Sequence, residues 1–99
     1  DPMTKQQIET AWNRHCQEDW PVFSSSHQGQ LMTLDTVISG CVIYYLDSPD
    51  GLDDQRLAIL KDCLTELDSV TEDLDAAPLA YFVRLRRLGE LLLQTAAQP

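Results

Sequence analysis

The chain has 99 residues, a hydrophobic fraction of 43% and a formal net charge of −9, with 16 acidic and 7 basic residues. This length predicts a single domain, and the hydrophobic fraction is high enough to form a core, which argues against global disorder. The negative charge argues against binding to nucleic acid or to an anionic membrane, because both depend on contacts between cations and phosphates.

The first two residues are expected to be a remnant of cloning. Asp1-Pro2 precedes Met3, so we expect the natural chain to begin at Met3 and residues 3–99 to form one acidic helical domain. The start is polar, and the longest apolar run, Cys41–Leu46, is far shorter than the roughly 20 residues of a membrane span. Neither a signal peptide nor a transmembrane segment is therefore expected.

The cysteines indicate a reducing environment. They are odd in number and widely spaced, and each lies in an apolar, periodic context: Cys16, Cys41 and Cys63. This pattern predicts a cytoplasmic protein with buried thiols rather than a disulfide framework.

The first helix is predicted from about Thr4 to about Glu18. Thr4 and Gln7 have the spacing of a capping box. Pro21 marks the end, because a proline disfavours the helical conformation of the residue before it. The buried side is expected to hold Ile8, Trp12 and either His15 or Cys16.

The second element, Gln30–Leu46, is ambiguous. Its apolar residues recur at spacings of three and four, which favours a helix. Val37–Leu46 is also rich in β-branched and aromatic residues and contains Gly40, so a strand there, and with it an α+β fold, is the alternative. The helix is preferred because the run lacks strict alternation.

The third helix, about Leu52–Leu74, has the clearest pattern. Its leucines keep a coiled-coil-like spacing at Leu57, Leu60, Leu64, Leu67 and Leu74. It lies within Asp47–Asp75, which holds ten of the sixteen carboxylates. An acidic helix face opposite a buried stripe is suited to steering toward a basic partner. The residues predicted to bind that partner are Asp53, Asp54, Asp62, Glu66 and Asp73.

The last helix is predicted at about Pro78–Ala96. Short connectors, Asp47–Gly51 and Asp75–Pro78, separate the last three helices and favour antiparallel neighbours. Pairing with the acidic third helix is preferred over binding of an external anion for the three arginines of the last helix: Arg84, Arg86 and Arg87. The four segments together predict an all-α fold, a small antiparallel bundle of about four helices.

Some apolar residues are expected to remain at the surface. Tyr44 and Tyr45 are consecutive, so a helix cannot bury both equally well, and the last helix has more leucines than one buried face requires. Aromatic residues at a surface are favoured interface anchors. The apolar residues predicted to contact a partner are Trp20, Phe23, Tyr44, Leu91 and Leu93.

Catalytic and metal sites are not indicated. Asp50, Asp53 and Asp54 lack the ligand spacing of a calcium loop. Adjacent helical residues such as His15 and Cys16 point about 100° apart, so they cannot easily serve one centre. There is no Cys-x-x-Cys pair and no glycine-rich phosphate loop, so no catalytic residue, metal or cofactor is expected.

The preferred interpretation is a non-catalytic protein–protein interaction module of the regulator, immunity, inhibitor or chaperone type. Its acidic face would meet a basic partner, and its apolar surface would support self-association, expected as a homodimer. Two alternatives remain: a small-ligand or metal-binding helical bundle using His15, Cys16 or the acidic turn, and an enzyme subunit active only in an oligomer.

Overall fold

The computed structural model describes residues 5–48 and 50–96, and these residues form four helices and no strand. The fold is all-α, as predicted. In the described residues, no helix combines the length and the hydropathy that a membrane crossing requires. The helices, in chain order, are α1 (Lys5–Cys16), α2 (Gln28–Asp47), α3 (Asp54–Val70) and α4 (Ala76–Ala96).

Helices that follow each other in the chain pack antiparallel. Gln30, near the start of α2, donates a hydrogen bond from Nε2 to Glu66 in the second half of α3, at 2.9 Å. Tyr44, near the end of α2, lies beside Arg56 at the start of α3. α2 and α4 contact each other and also α1 and α3, while the described parts of α1 and α3 lie apart. The predicted bundle is confirmed.

The segment Val37–Leu46 is helical, and the alternative strand there is wrong. Its apolar residues keep helical spacing, so that Ile38, Cys41 and Val42 are buried together. Gly40 is exposed, and nothing lies within 4 Å of the position that its Cβ would take. A helix tolerates such a glycine at a modest loss of stability.

Two helices end earlier than predicted. α1 ends at Cys16 rather than at Glu18, and α3 ends at Val70 rather than at Leu74. Leu74 still packs against the core from the connector that follows α3. The capping box predicted at Thr4 lies outside the described residues.

Local signals set the starts of α3 and α4. The Asp53 carboxylate accepts a hydrogen bond from the backbone N–H of Arg56 at 2.8 Å, which caps α3. Gly51, just before this cap, has a φ of 77°, a conformation that glycine adopts readily. α4 begins at Ala76, and Pro78 lies in its first turn, where the missing N–H of proline is tolerated.

The predicted leucine stripe of α3 faces the core. Leu60, Leu64 and Leu67 are buried, and Leu57 is half-buried at the edge of the stripe. The stripe packs against α4 at Gly89, where an added Cβ would lie 2.8 Å from Leu64 Cδ2. The absence of a side chain at Gly89 therefore allows these two helices to approach closely.

Candidate functional site

Two of the predicted partner-binding residues lie where α2 and α3 pack side by side. The Arg56 guanidinium is 3.8 Å from the centre of the Tyr44 ring, and Glu66 accepts the hydrogen bond from Gln30. Ile59 lies between Arg56 and Glu66 at helical spacing, so all three lie on the side of α3 that meets α2. Tyr44 from the predicted apolar set and Glu66 from the acidic set therefore border one seam.

This seam carries exposed apolar surface beside exposed carboxylates. Tyr44 is 38% exposed and Ile59 is 40% exposed. Asp62 and Glu66, one and two turns beyond Ile59, are also exposed. We call Tyr44, Ile59, Asp62 and Glu66 the α2–α3 face. Apolar side chains bordered by polar ones are typical of protein–protein interfaces.

Ile59 is the member of this face that was not predicted. Its signal was available, because it is an apolar residue of α3 that lies off the leucine stripe and next to acidic positions. A residue of this kind either fills a groove between helices or faces solvent. Periodicity alone does not distinguish these two outcomes, because they depend on how far α2 extends over α3.

Of the other predicted acidic residues, Asp53 adjoins the α2–α3 face through Arg56, whereas Asp54 and Asp73 lie away from it. Asp53 caps α3 and forms an ion pair with Arg56 at 2.5 Å. The hydrogen bond from the Arg56 backbone N–H holds the pKa of Asp53 below its usual value. Asp54 is about 140° around the helix from Ile59, and Asp73 lies in the connector between α3 and α4.

Trp20 and Phe23 form an aromatic cluster with α4. The Trp20 ring centre lies 5.4 Å from that of Tyr81 and 5.6 Å from that of Phe82, both edge-on. Phe23 lies 6.0 Å from Phe82 in the same arrangement. These contacts stabilise the connector between α1 and α2. Trp20 remains 37% exposed, so its contact with a partner stays a prediction.

The prediction that α4 has surplus leucines at its surface is wrong for Leu91. Leu91 is 7% exposed and belongs to the core, and Leu93 is half-buried and packs against the core. The reason is that α4 contacts each of the other three helices, so apolar residues on several of its sides are covered within one chain.

The pairing predicted for the three arginines of α4 holds only for Arg86. Its Nε lies 2.7 Å from Asp68 of α3, and its Nη1 also pairs with Glu90. Arg84 and Arg87 form no ion pair with any carboxylate in the described ranges. Successive helical residues point about 100° apart, so Arg86 faces α3 while the other two face α1.

A cavity of about 370 Å³ opens between α1 and α4. Val83, Leu88 and Leu91 of α4 lie in its apolar lining, and Val83 is the exposed one of the three. Its polar lining is basic and comes from both helices: Arg14, His15, Arg84 and Arg87. We call it the α1–α4 cavity.

His15 is the most deeply buried polar residue of this cavity. It is 5% exposed, and its ring centre lies 4.8 Å from that of Tyr81 and 6.0 Å from that of Trp12. Neither ring nitrogen has a hydrogen-bond partner among the described residues, and the same holds for the buried Nε of Arg84. Leaving such a group unpaired costs about 1–3 kcal/mol in general.

The ionisation of His15 follows from these surroundings. Burial lowers its pKa, and the positive charge of Arg84 lowers it further, while Asp35 and Glu18 raise it. The imidazole is therefore neutral at neutral pH. Tyr81 donates a hydrogen bond to Asp35 at 2.9 Å, and burial together with that bond raises the pKa of Tyr81.

The cysteines differ from the expectation of uniformly buried thiols. Cys41 is buried and Cys63 is half-buried, but Cys16 is exposed, because His15 takes the inward position at the end of α1. His15 and Cys16 therefore point to different environments. This divergence weighs against a joint ligand site at these two residues.

Across residues 5–48 and 50–96, no three or more histidine, cysteine, aspartate or glutamate side chains are grouped so as to hold a metal ion. No protein-family model matches the chain, and no curated protein or solved structure shows significant similarity to it. Its function is therefore argued from the surfaces themselves.

Proposed function

We propose that this protein is a non-catalytic protein–protein interaction module that binds a basic partner through the α2–α3 face. The observation that carries the proposal is the exposure of Tyr44 and Ile59 beside Asp62 and Glu66 on one seam. Tyrosine supplies a large contact area with few rotatable bonds. The two carboxylates would raise the rate of encounter with a positively charged surface and disfavour acidic partners. Such a module would be of the regulator, immunity, inhibitor or chaperone type.

The geometry around Tyr44 supports a face that is ordered before binding. The Arg56 guanidinium stacks on the Tyr44 ring and is itself held by the Asp53 carboxylate. A cation on an aromatic face and an ion pair each restrict side-chain rotamers. A partner would therefore lose less conformational entropy when it binds this face.

Affinity capture from the native host tests the electrostatic part of the proposal. A variant with Asp62→Asn and Glu66→Gln is expected to recover less of a basic partner than the unchanged protein. The amide introduced at position 66 could still accept the hydrogen bond from Gln30, so the fold is retained. Recovery by the unchanged protein should also fall with rising ionic strength, because salt screens exposed charges.

A matched control removes the same charge from another side of the molecule. Glu9→Gln with Asp19→Asn neutralises two exposed carboxylates near α1 and is expected to leave recovery unchanged. Ile59→Ser tests the apolar part and should weaken binding by about 1 kcal/mol or more. Equal recovery with the control and the face variants would contradict the proposal.

Self-association and location are further proposals. Met32 is 52% exposed and Ile43 is 49% exposed on α2, and this apolar surface supports contact between two copies. The free thiols of the three cysteines are in keeping with a reducing compartment such as the cytoplasm. The net charge supports a protein partner rather than nucleic acid.

A further inference from the structure

The α1–α4 cavity has the size and the lining of a small-molecule site. Its volume of about 370 Å³ lies within the range of known ligand pockets. Val83, Leu88 and Leu91 give it an apolar wall on one helix. Such pockets are mostly apolar and hold a few polar groups that orient the ligand.

The cavity also holds a large share of the positive charge. Of the seven basic residues, three line it: Arg14, Arg84 and Arg87. In the described parts of this acidic chain, carboxylates pair with Arg56 and with Arg86 but with none of these three. Guanidinium groups bind carboxylates through two parallel hydrogen bonds, so an external carboxylate suits this lining.

Buried hydrogen-bonding groups at the inner side of the cavity point to the same ligand. His15 is 5% exposed, and neither of its ring nitrogens has a partner within the described residues. The buried Nε of Arg84 is in the same situation. A carboxylate that reached both residues would accept a hydrogen bond from each, and it would satisfy N–H donors that lack a partner among the described residues.

We propose that the α1–α4 cavity binds a small organic anion in which a carboxylate ends a short apolar chain. The carboxylate contacts the arginines and His15, and the apolar chain packs mainly against Val83, the exposed apolar residue of the lining. An inorganic anion would leave Val83, which is 55% exposed, uncovered. An uncharged apolar molecule would leave His15 and Arg84 without hydrogen bonds.

Binding of such an anion is coupled to a proton at His15. The charged and titratable groups that face His15 are Arg84 and Tyr81 of α4, Asp35 of α2 and Glu18 beyond α1, together with the other cavity arginines. The ligand offsets the charge of Arg84 and accepts a hydrogen bond from the imidazole, which favours the protonated ring. Affinity therefore rises as the pH falls below neutrality, while the ligand stays ionised.

Sodium octanoate is a suitable probe, and isothermal titration calorimetry of the full chain is the measurement. Octanoate should bind with a stoichiometry of one and with uptake of protons from the buffer. Octanamide has the same chain without the charge, and acetate has the charge without the chain. Both should bind about tenfold more weakly or worse, because each lacks one half of the contact.

Two charge-matched variants locate the binding. Arg87→Gln removes one exposed cation at the cavity and should raise the Kd of octanoate about tenfold. Lys61→Gln removes one exposed cation from α3, which lies apart from α1, and should leave the Kd unchanged. His15→Gln should abolish the proton uptake that accompanies binding.

Three results would each overturn the proposal. The first is an equal affinity for octanoate and octanamide. The second is an equal effect of Arg87→Gln and Lys61→Gln on the Kd of octanoate. The third is no binding at about 10 mM octanoate, because a Kd above that concentration is weaker than that of most specific sites. None of the variants alters the α2–α3 face. A negative result for octanoate therefore does not contradict partner binding at the α2–α3 face. A negative result for partner binding likewise does not contradict anion binding in the α1–α4 cavity.

Discussion

At the residue scale, the end of α1 depends on which of two neighbouring side chains turns inward. His15 takes that position, and Cys16 is exposed. The imidazole lies between the rings of Trp12 and Tyr81 and has no described hydrogen-bond partner. An apolar side chain would fit this environment better in the free protein. A histidine at this position is in keeping with a ligand that uses it.

His15→Leu should therefore stabilise the free protein while it weakens the binding of octanoate. The variant removes two unpaired buried nitrogens and should raise the free energy of unfolding by about 1 kcal/mol. Urea denaturation followed by circular dichroism measures this change. A loss of stability would show that the histidine is satisfied in solution.

The stability difference between His15→Leu and the unchanged protein should depend on pH. The pKa of His15 is lower in the folded protein than the ordinary value of 6.5, so the unfolded chain binds the proton first as the pH falls. The neutral ring makes its full contribution to stability above the ordinary pKa of 6.5, and this contribution decreases as the pH falls below 6.5. The stability gap between His15→Leu and the unchanged protein should widen from about pH 7 to about pH 5. A constant gap would contradict the lowered pKa.

At the element scale, two glycines inside helices have opposite surroundings. Gly40 of α2 faces open space, whereas a Cβ at Gly89 of α4 would lie 2.8 Å from Leu64 Cδ2 and 3.4 Å from Leu60 Cδ1. Both leucines are buried, so they cannot move aside freely. Gly40 therefore only weakens α2, whereas Gly89 permits the close contact between α3 and α4.

Alanine substitutions should separate these two roles. Gly40→Ala should raise the free energy of unfolding by about 0.5–1 kcal/mol, because alanine loses less backbone entropy in a helix. Gly89→Ala should lower the free energy of unfolding by about 1 kcal/mol, because overpacking against Leu64 outweighs the gain in backbone entropy. Thermal unfolding of both variants is the measurement. A stabilised Gly89→Ala variant would mean that α3 and α4 have room to separate.

Helical spacing predicts some buried side chains of α3 and α4 but not others. The stripe of α3 could be predicted because Leu60, Leu64 and Leu67 define one buried side by spacing alone. The burial of Leu91 could not be predicted in this way, because it depends on which sides of α4 the other helices cover. The exposure of Ile59 has the same cause on α3. Periodicity identifies a helix, but only the packing of neighbours shows which residues remain available to a partner.

At the scale of the whole molecule, the two proposed sites lie on different sides of the bundle. The unpaired arginines border α1, the α2–α3 face is acidic, and α1 lies apart from α3 in the described structure. A basic partner at the α2–α3 face would therefore not cover the α1–α4 cavity. The two proposed sites can be occupied at the same time.

Self-association is also a property of the whole molecule. Met32 and Ile43 are three turns apart on the outward side of α2, and both are about half exposed. Light scattering at micromolar concentration should give at least twice the 11.2 kDa of one chain. A variant with Met32→Ser and Ile43→Ser should be monomeric. A monomeric mass for the unchanged protein at every concentration would contradict the predicted dimer.

The central claim is that a partner binds the α2–α3 face. Its most direct test is site-specific photo-cross-linking in the native host. Gln55 and Lys61 are both exposed on α3; Gln55 lies one turn before Ile59, and Lys61 lies about 200° around the helix from it. A photoreactive residue at position 55 should cross-link to a basic protein, and the same residue at position 61 should not. Cross-links of equal yield from both positions, or from position 61 alone, would contradict the claim.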